Sequence, residues 1–198
     1  MPPINIDNPS WLTVPALDAL PQEVDDEVGP IAGKIGFIPN VARLLAVTPR
    51  HLVRWWDYFD ELMRGPSGLT KTQREMIAVV VSGEARCPYC VAAHAAALRL
   101  RVKDSALVDR LAVNYRMVEL SRQDRAMLDF AVKLTHAPEE SSEEDIAHLR
   151  DVGFTDPDIL HIIEVAAFFN LGARLAAGSG LLPNAEYHEL GRSAPTQD

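Results

Sequence analysis

From Asn40 onwards, the apolar residues of this chain recur at spacings of three and four, which is the period of an amphipathic α-helix. The clearest apolar face consists of Leu52, Trp55, Trp56, Phe59, Leu62 and Met63. A half-buried strand would instead show strict alternation of apolar and polar residues, and no convincing run of that kind occurs. The pattern therefore predicts an all-α fold, and 198 residues are enough for one compact domain.

Capping signals predict where these helices begin. Four predicted helices are each preceded by a side chain that can accept a hydrogen bond from a free helix N–H, at Thr70, Asp104, Ser121 and Ser142. Pro88 is tolerated only in a first helical turn, so another helix should begin immediately before it. We expect Ser82-Gly83 to interrupt the preceding helix, and residues 155–175 to form one long apolar helix.

The first 39 residues differ in composition, because they carry seven of the fourteen prolines. Proline fixes φ and removes a backbone donor, so residues 1–39 should form an extended arm with one short helix within residues 18–28. Four large apolar side chains favour packing of this arm on the body or on a neighbouring subunit: Trp11, Leu12, Leu17 and Leu20. A helical domain over residues 40–182 and a loosely held polar tail over residues 183–198 complete the predicted organisation.

Residues 69–77 and 120–128, which lie 51 positions apart, resemble each other. Both segments begin with leucine and a hydroxyl residue, and both carry arginine and methionine at matching positions. This similarity predicts an internal duplication, although two capped helix starts also resemble each other by chance. The second copy contains no cysteine, so we expect the chemistry in the first.

The balance of residue types excludes several classes of protein. With 47% hydrophobic and 24% charged residues, the composition is that of a soluble globular fold and not of a disordered chain. The formal net charge of −9 lacks the electrostatic footprint for nucleic acid or an anionic membrane. No segment approaches ~18 uninterrupted apolar residues, and the N-terminus lacks the features of a signal peptide, so we predict a cytoplasmic protein.

The only two cysteines, Cys87 and Cys90, lie three residues apart, and His94 follows four residues later. On a helix these three side chains share one face. A structural disulfide across so short a loop would remove little chain entropy, so we expect reduced thiols that are reactive or bind metal. A cysteine in the first helical turn feels the positive end of the helix dipole, and an imidazole one turn along can accept a thiol proton.

Two other interpretations of this cluster stay open. Cys87 and Cys90 can simply fill space as small hydrophobic residues. Alternatively, the two thiols and His94 supply three zinc ligands, with Glu75 or Glu84 as the fourth. Redox chemistry is favoured over zinc, because structural zinc sites usually draw ligands from two separate segments and these three come from one helix.

The residues around the cysteines resemble those of a known family. Residues 68–82 and 87–94, with the spacing Glu-x11-Cys-x2-Cys-x3-His, resemble the carboxymuconolactone decarboxylase/AhpD-like superfamily, and within it the peroxidase-related, alkylhydroperoxidase-type proteins. The resemblance covers roughly residues 30–182 and implies a helical bundle that assembles as a homotrimer or homohexamer. Decarboxylases of the superfamily generally lack the Cys-x-x-Cys pair, so its presence argues against lactone decarboxylation.

The resemblance also implies a thiol-dependent peroxidase that reduces hydrogen or alkyl hydroperoxides. It makes Cys90 the peroxidatic cysteine that becomes a sulfenic acid, and Cys87 the residue that resolves it as a disulfide. It implies that His94 passes the proton and that Glu75 is the base that polarises His94. The implied reductant is an external dithiol, for example of the lipoyl type, with no bound cofactor or metal. Tyr89 is a departure, because the best-known alkylhydroperoxidase has histidine there, and this puts a proton-relay role in doubt.

Two rival functions fit the same residues. In a thioredoxin-like thiol-disulfide oxidoreductase, Cys87 would attack because it lies nearer the helix N-terminus. In a non-catalytic oligomeric redox-sensing or binding protein, the cysteines would oxidise once without turnover. The other five histidines have no partner spacing and are expected to be structural or on the surface: His51, His136, His148, His161 and His188.

Overall fold

The computed structural model describes residues 8–192, so residues 1–7 of the predicted arm and 193–198 of the predicted tail lie outside it. Regular structure in the described part is entirely helical, which confirms the predicted all-α class. Its α-helices are α1 (Gln22–Ile35), α2 (Asn40–Leu45), α3 (Pro49–Arg64), α4 (Lys71–Glu84), α5 (Pro88–Val102), α6 (Ser105–Asn114), α7 (Arg122–His136), α8 (Glu143–Asp151), α9 (Asp156–Ser179) and α10 (Glu186–Glu189). Short 3-10 helices span Leu17–Ala19, Tyr115–Met117 and Pro138–Glu140.

The predicted capping residues begin their helices. The side chains of Thr70, Asp104 and Ser121 each accept a hydrogen bond from the backbone N–H three residues later. At α8 the direction is reversed, because the Ser142 N–H donates to the Asp145 carboxylate at 2.8 Å. Each contact satisfies a polar group at a helix start, so local sequence chemistry was sufficient to place these starts.

α4 corrects one prediction, because it is not interrupted at Ser82-Gly83 and ends only at Glu84. The carbonyl oxygen of Ala112, on α6, approaches Gly83 so closely that a Cβ at residue 83 would collide with it. The glycine therefore permits close helix packing and does not end the helix, since only a residue without Cβ fits here.

α4 and α9 form the centre of the bundle. Residues 74–82 of α4 are all buried, and the helix packs against α5, α6, α7 and α9. By length and composition alone, α9 is apolar enough to cross a membrane. Its buried side chains, among them Ile162, Val165 and Phe169, belong to the central hydrophobic cluster. Packing in the core thus accounts for the apolar side chains on the buried face of α9.

The two similar segments lie side by side. Gln73 near the start of α4 donates to Asp124 at the matching position of α7, at 2.9 Å. Arg74 and Arg125, which also match, both donate to backbone carbonyls of the segment that precedes their helix. The internal duplication remains a prediction, since two helix starts with the same capping chemistry share such contacts for local reasons.

The N-terminal arm differs from the extended segment that its prolines predict. α1 spans 14 residues and includes Pro30 in its interior. Val24 and Val28 of this helix are fully buried and share a hydrophobic cluster with Leu52 and Trp56 of α3. An interior proline costs ~3 kcal/mol, whereas burying two valines contributes roughly 3–6 kcal/mol. Tertiary burial therefore outweighs the local cost of the proline.

The large apolar side chains of the arm do not behave alike. Leu20 packs against the cluster under α1, whereas Trp11, Leu12 and Leu17 are exposed. The backbone is nevertheless attached to the body, because the Trp11 N–H donates to the carbonyl of Ser179 at 2.8 Å. The exposed side chains leave an apolar surface on this arm.

Residues 183–192 are held on the body and do not form the loose tail that their polarity predicts. Asn184 accepts a hydrogen bond from a backbone N–H of α2 at 2.7 Å. The buried Arg99 of α5 donates to the carbonyls of Tyr187 and Leu190 at 2.6 and 3.0 Å. These partners are distant in sequence, so the local composition of the segment does not reveal them.

Candidate active site

A hairpin of α4 and α5 builds the site. Three residues connect the two helices, and one of them, Arg86, has a positive φ of 52° that turns the chain sharply. Cys87 is the N-cap of α5, and its N–H donates to the carbonyl of Ser82 at 3.0 Å. Pro88 occupies the first turn, which confirms the predicted helix start. The N-terminus of α5 therefore lies against the last turn of α4.

The two cysteines are free thiols, and both are buried. The Cys90 N–H donates to Cys87 Sγ at 3.4 Å. A hydrogen bond from the Cys90 thiol, helped by the backbone N–H groups of Cys90 and Tyr89, lowers the pKa of Cys87 to about 7 against the effect of burial. The same thiol–thiol hydrogen bond and burial raise the pKa of Cys90. In the reduced pair, Cys87 is therefore the thiol that ionises first, while Cys90 keeps its proton.

His94 is held in place by Glu75. Its Nδ1 lies 2.9 Å from Glu75 Oε2, and only 14% and 7% of the two side chains are exposed. Because an ionised carboxylate can only accept, Nδ1 donates to it, and in the tautomer that this contact selects Nε2 keeps its lone pair. Phe59 and Phe169 pack edge-on against the ring, with centroids 6.1 and 4.4 Å away. The imidazole is thus fixed in both orientation and tautomer.

A cavity of about 380 Å³ adjoins these residues. Cys90 and His94 lie in its wall, whereas Cys87 does not. Aromatic side chains from α3 and α9 form much of the remaining wall: Trp55, Trp56, Phe59, Phe168 and Phe169. A mostly apolar cavity with a few polar groups is the usual form of a small-molecule site. Of the two thiols, Cys90 is therefore the one that lines the cavity.

The Tyr89 hydroxyl has a structural partner. It accepts a hydrogen bond from the Val41 N–H at 3.1 Å and so ties α5 to α2. Its ring packs edge-on against Tyr187 of α10, with centroids 6.3 Å apart. Burial raises the pKa of Tyr89 well above its usual value, so the phenol stays neutral. A neutral, engaged hydroxyl supplies no base beside the cysteines.

Glu84 does not join the cysteines. Its carboxylate lies 2.7 Å from His136 Nε2, in the wall of a separate polar cavity. His161 is bonded to Ser67 and to the carbonyl of Leu62 at 2.7 and 2.8 Å, as expected of a structural histidine. Within residues 8–192, no three His, Cys, Asp or Glu side chains group as a metal site requires.

Three residues of the cavity wall were missed by reasoning from the sequence. Arg101 lies 3.9 Å from Glu75 Oε1 and follows His94 by seven residues on the same face of α5, so helical periodicity could have identified it. Arg64 comes from the end of α3 and Tyr187 from α10. Neither has a local signal, because both reach the cavity only through the tertiary fold.

A model of the carboxymuconolactone decarboxylase family matches residues 49–115. This match spans the chain from α3 to the end of α6 and includes the whole α4–α5 hairpin. No curated protein matches the chain.

Solved structures match nearly the whole chain. The alkylhydroperoxidase AhpD core of an uncharacterized peroxidase-related protein from Ralstonia eutropha JMP134 is 42% identical, with 93% of this chain and 97% of that chain covered and a TM-score of 0.89. An uncharacterized peroxidase-related protein from Silicibacter sp. TM1040 is 42% identical, with 93% and 96% covered and a TM-score of 0.88. The debrominase Bmp8 with bound 2,3,4-tribromopyrrole is 16% identical, with 90% and 94% covered and a TM-score of 0.77, which is a likeness of fold alone.

Proposed function

Because the chain belongs to the carboxymuconolactone decarboxylase/AhpD-like superfamily, we propose that it is a thiol-dependent peroxidase that reduces hydrogen or alkyl hydroperoxides. Two relatives with 42% identity are named peroxidase-related. The observation that carries the proposal is the arrangement of the thiols. Cys90 shares the wall of one cavity with His94, and Cys87 lies directly beside Cys90 at the helix N-terminus.

We assign the attack on the peroxide to Cys90, because a substrate in the cavity meets this thiol. Its sulfur attacks the terminal peroxide oxygen, the O–O bond breaks, and the sulfur is oxidised to a sulfenic acid. The proton held by Cys90 passes to His94 Nε2 and then to the leaving oxygen, which departs as water or an alcohol. Glu75 keeps His94 in the required tautomer and stabilises the imidazolium.

Cys87 completes the oxidation. Its thiolate attacks the sulfenic sulfur of Cys90, a disulfide forms, and hydroxide leaves with a proton as water. The lowered pKa of Cys87 suits this role, since the thiolate is the nucleophile in disulfide formation. An external dithiol then supplies two electrons and restores both thiols. A slender dithiol of the lipoyl type fits a cavity of about 380 Å³, and the cycle needs no bound cofactor.

One observation favours a second candidate, a thiol-disulfide oxidoreductase. Cys87 is the more acidic thiol and sits at the N-cap of α5, where an attacking cysteine of such an enzyme belongs. Against this, Cys87 is 2% exposed and lies outside the cavity wall, so a protein disulfide cannot reach it without movement of the surrounding segments. The two functions therefore differ in which cysteine reacts first.

Intact mass measurement separates the candidates. The reduced protein is treated with one equivalent of peroxide beside its Cys87→Ser and Cys90→Ser variants, and free thiols are counted. We expect wild type to lose about two mass units as the disulfide forms, and Cys87→Ser to gain one oxygen on Cys90. Oxygen trapped on Cys87 of Cys90→Ser at the wild-type rate would make Cys87 the residue that attacks the peroxide. Peroxide that leaves both thiols free would exclude the peroxidase, and a mixed disulfide trapped on Cys87 of Cys90→Ser by a disulfide substrate would then identify the oxidoreductase.

We also propose that the protein assembles as a homotrimer or homohexamer. Three large apolar side chains of α9 are exposed and available for contact with another subunit: Leu160, Leu171 and Leu175. Light scattering coupled to size-exclusion chromatography measures the mass in solution, and a monomer of 21.8 kDa would contradict the proposal.

A further inference from the structure

Ser82 places a buried hydroxyl beside the reactive thiols. The side chain is 0% exposed in the last turn of α4, and its Oγ has no hydrogen-bond partner among the described residues. Buried hydroxyls are almost always hydrogen-bonded, because a donor taken out of water without an acceptor is unfavourable. An unpartnered hydroxyl at this position therefore calls for a functional explanation.

The register of the hairpin directs Ser82 towards the cysteines. Glu75 and Ser82 are seven residues apart, about two helical turns, so they share the face of α4 that packs on α5. Glu75 bonds His94 on that helix, and the Ser82 carbonyl accepts from the Cys87 N–H. Cys90 lies between these two contacts in the chain of α5.

The effect of the hydroxyl on Cys90 has a definite sign. The pKa of Cys90 is raised chiefly by its hydrogen bond to Cys87 and by burial, and the Ser82 hydroxyl opposes both by favouring the ionised thiol. A thiolate accepts hydrogen bonds more strongly than a thiol. A hydrogen bond from the Ser82 hydroxyl to the Cys90 sulfur is therefore weak while Cys90 is protonated and becomes stronger once Cys90 is ionised.

We propose that Ser82 is a further residue of the reactive site, whose hydroxyl donates to Cys90 Sγ and stabilises its thiolate. Two groups then contribute to the ionisation of Cys90. His94 accepts the proton, and Ser82 stabilises the charge that remains on sulfur. The catalytic meaning of this contact rests on the proposed peroxidase function, but the contact itself concerns only the ionisation of Cys90.

The other ionisable groups near Cys90 must be the same in the two proteins that are compared. They lie on α5, α4, α3 and α10 and comprise Cys87, Tyr89, His94, Arg101, Glu75, Arg64 and Tyr187. Ser82→Ala removes one oxygen atom and leaves all of these groups in place. It is therefore a cleaner probe than any change of charge.

The test uses the full chain in a Cys87→Ser background, where Cys90 is the only thiol. The rate of alkylation by iodoacetamide, measured against pH, gives the pKa of Cys90 directly. We expect Ser82→Ala to slow alkylation at pH 8 by about threefold to tenfold, through a rise in the pKa of Cys90 of roughly half to one unit. Ser82→Thr keeps the hydroxyl and should restore the rate.

A matched control is Ser179→Ala in the same background. Ser179 is also buried, but its hydroxyl has its own partner, because it donates to the carbonyl of Leu175 at 2.7 Å. We expect it to leave the alkylation profile unchanged, and thermal unfolding verifies that each variant is folded. An unchanged Cys90 profile in a folded Ser82→Ala protein overturns the proposal.

Peroxide reduction is measured separately, on proteins that retain both cysteines. A shifted alkylation profile together with slower peroxide reduction in Ser82→Ala supports both the inference and the proposed function. A shifted profile in a protein whose wild type reduces no peroxide supports the Ser82 contact and overturns the peroxidase function. The two proposals can therefore fail independently.

Discussion

His94 Nδ1 lies 2.9 Å from Glu75 Oε2, and this contact joins the middle of α5 to α4 across 19 positions of sequence. The second carboxylate oxygen of Glu75 lies 3.9 Å from Arg101, so the buried charge has two cationic or polar neighbours. A histidine held by a buried carboxylate has a defined tautomer and a stabilised protonated form. In the proposed mechanism, this geometry directs His94 as the base for Cys90, which shares the cavity wall with it.

Replacing Glu75 with glutamine tests this relationship. Glu75→Gln keeps the shape of the side chain but removes the charge that stabilises imidazolium, so we expect kcat for peroxide reduction to fall by about 100-fold. The measurement is a steady-state assay with a dithiol donor. Glu84→Gln is the control, because Glu84 pairs with His136 in a different cavity. An equal loss in the two variants would show that Glu75 has no specific role.

The thiol pair should make stability depend on pH. Folding lowers the pKa of Cys87 from 9.0 to about 7. The ionised Cys87 therefore stabilises the folded protein fully above about pH 9, and this stabilisation is lost as the pH falls through 7. Folding raises the pKa of Cys90, so this thiol reduces stability as the pH rises above about 9. We expect the free energy of unfolding of the reduced protein to increase from pH 6 to a maximum near pH 9.

Chemical denaturation across this pH range measures the effect. Cys87→Ser should lack the rise between about pH 7 and 9, because it removes the group that ionises there. The same rise in wild type and variant would assign the pH dependence to another residue.

The attachment of residues 183–192 should depend on Arg99. Arg99→Met removes the donors to the Tyr187 and Leu190 carbonyls, and each such hydrogen bond from a charged group contributes roughly 1.5–3 kcal/mol. We expect a lower free energy of unfolding, faster proteolysis in this segment and a higher KM, since Tyr187 lines the cavity. Thermal unfolding, limited proteolysis and the peroxide assay provide these three readings.

Arg192→Met is the comparison for that experiment. Arg192 pairs with Asp109 on the surface, where both side chains are well exposed. An exposed pair contributes about 0–1 kcal/mol, so this variant should remain close to wild type. Similar destabilisation by the two substitutions would contradict the special role of Arg99.

Gly83 is closely packed and Gly33 is surrounded by open space, so replacing each with alanine should change stability in opposite directions. Gly83→Ala introduces a Cβ that collides with the Ala112 carbonyl, so α6 must shift and we expect a loss of about 1–3 kcal/mol. Gly33→Ala lies within α1 with open space around it, and should stabilise the protein by roughly 0.5–1 kcal/mol through helix propensity. Free energies of unfolding decide the matter. Stabilisation by both changes would mean that the helices adjust without cost.

The sequence by itself determined the helical class, because helical spacing and capping are local properties. Thr70, Asp104 and Ser121 each satisfy a helix start with a neighbour three residues away. The shared face of Cys90 and His94 follows from the same periodicity, since a helix repeats every 3.6 residues. These features need no knowledge of how the helices pack.

Only the tertiary structure decided the conformation of the two ends of the chain. Burial of Val24 and Val28 makes α1 a long helix despite Pro30, and hydrogen bonds from Arg99 order residues whose composition predicts a loose polar tail. Burial and hydrogen bonds between distant segments outweigh local propensity in both places.

The same reason applies at the thiols. Only the packed helices show that Cys90 lines the cavity, that Cys87 is the more acidic thiol, and that the buried Ser82 hydroxyl lacks a hydrogen-bond partner. Spacing along one helix establishes which side chains share a face. Burial, charge and access at that face come from the elements packed against it, and those are assembled from positions far apart in the chain.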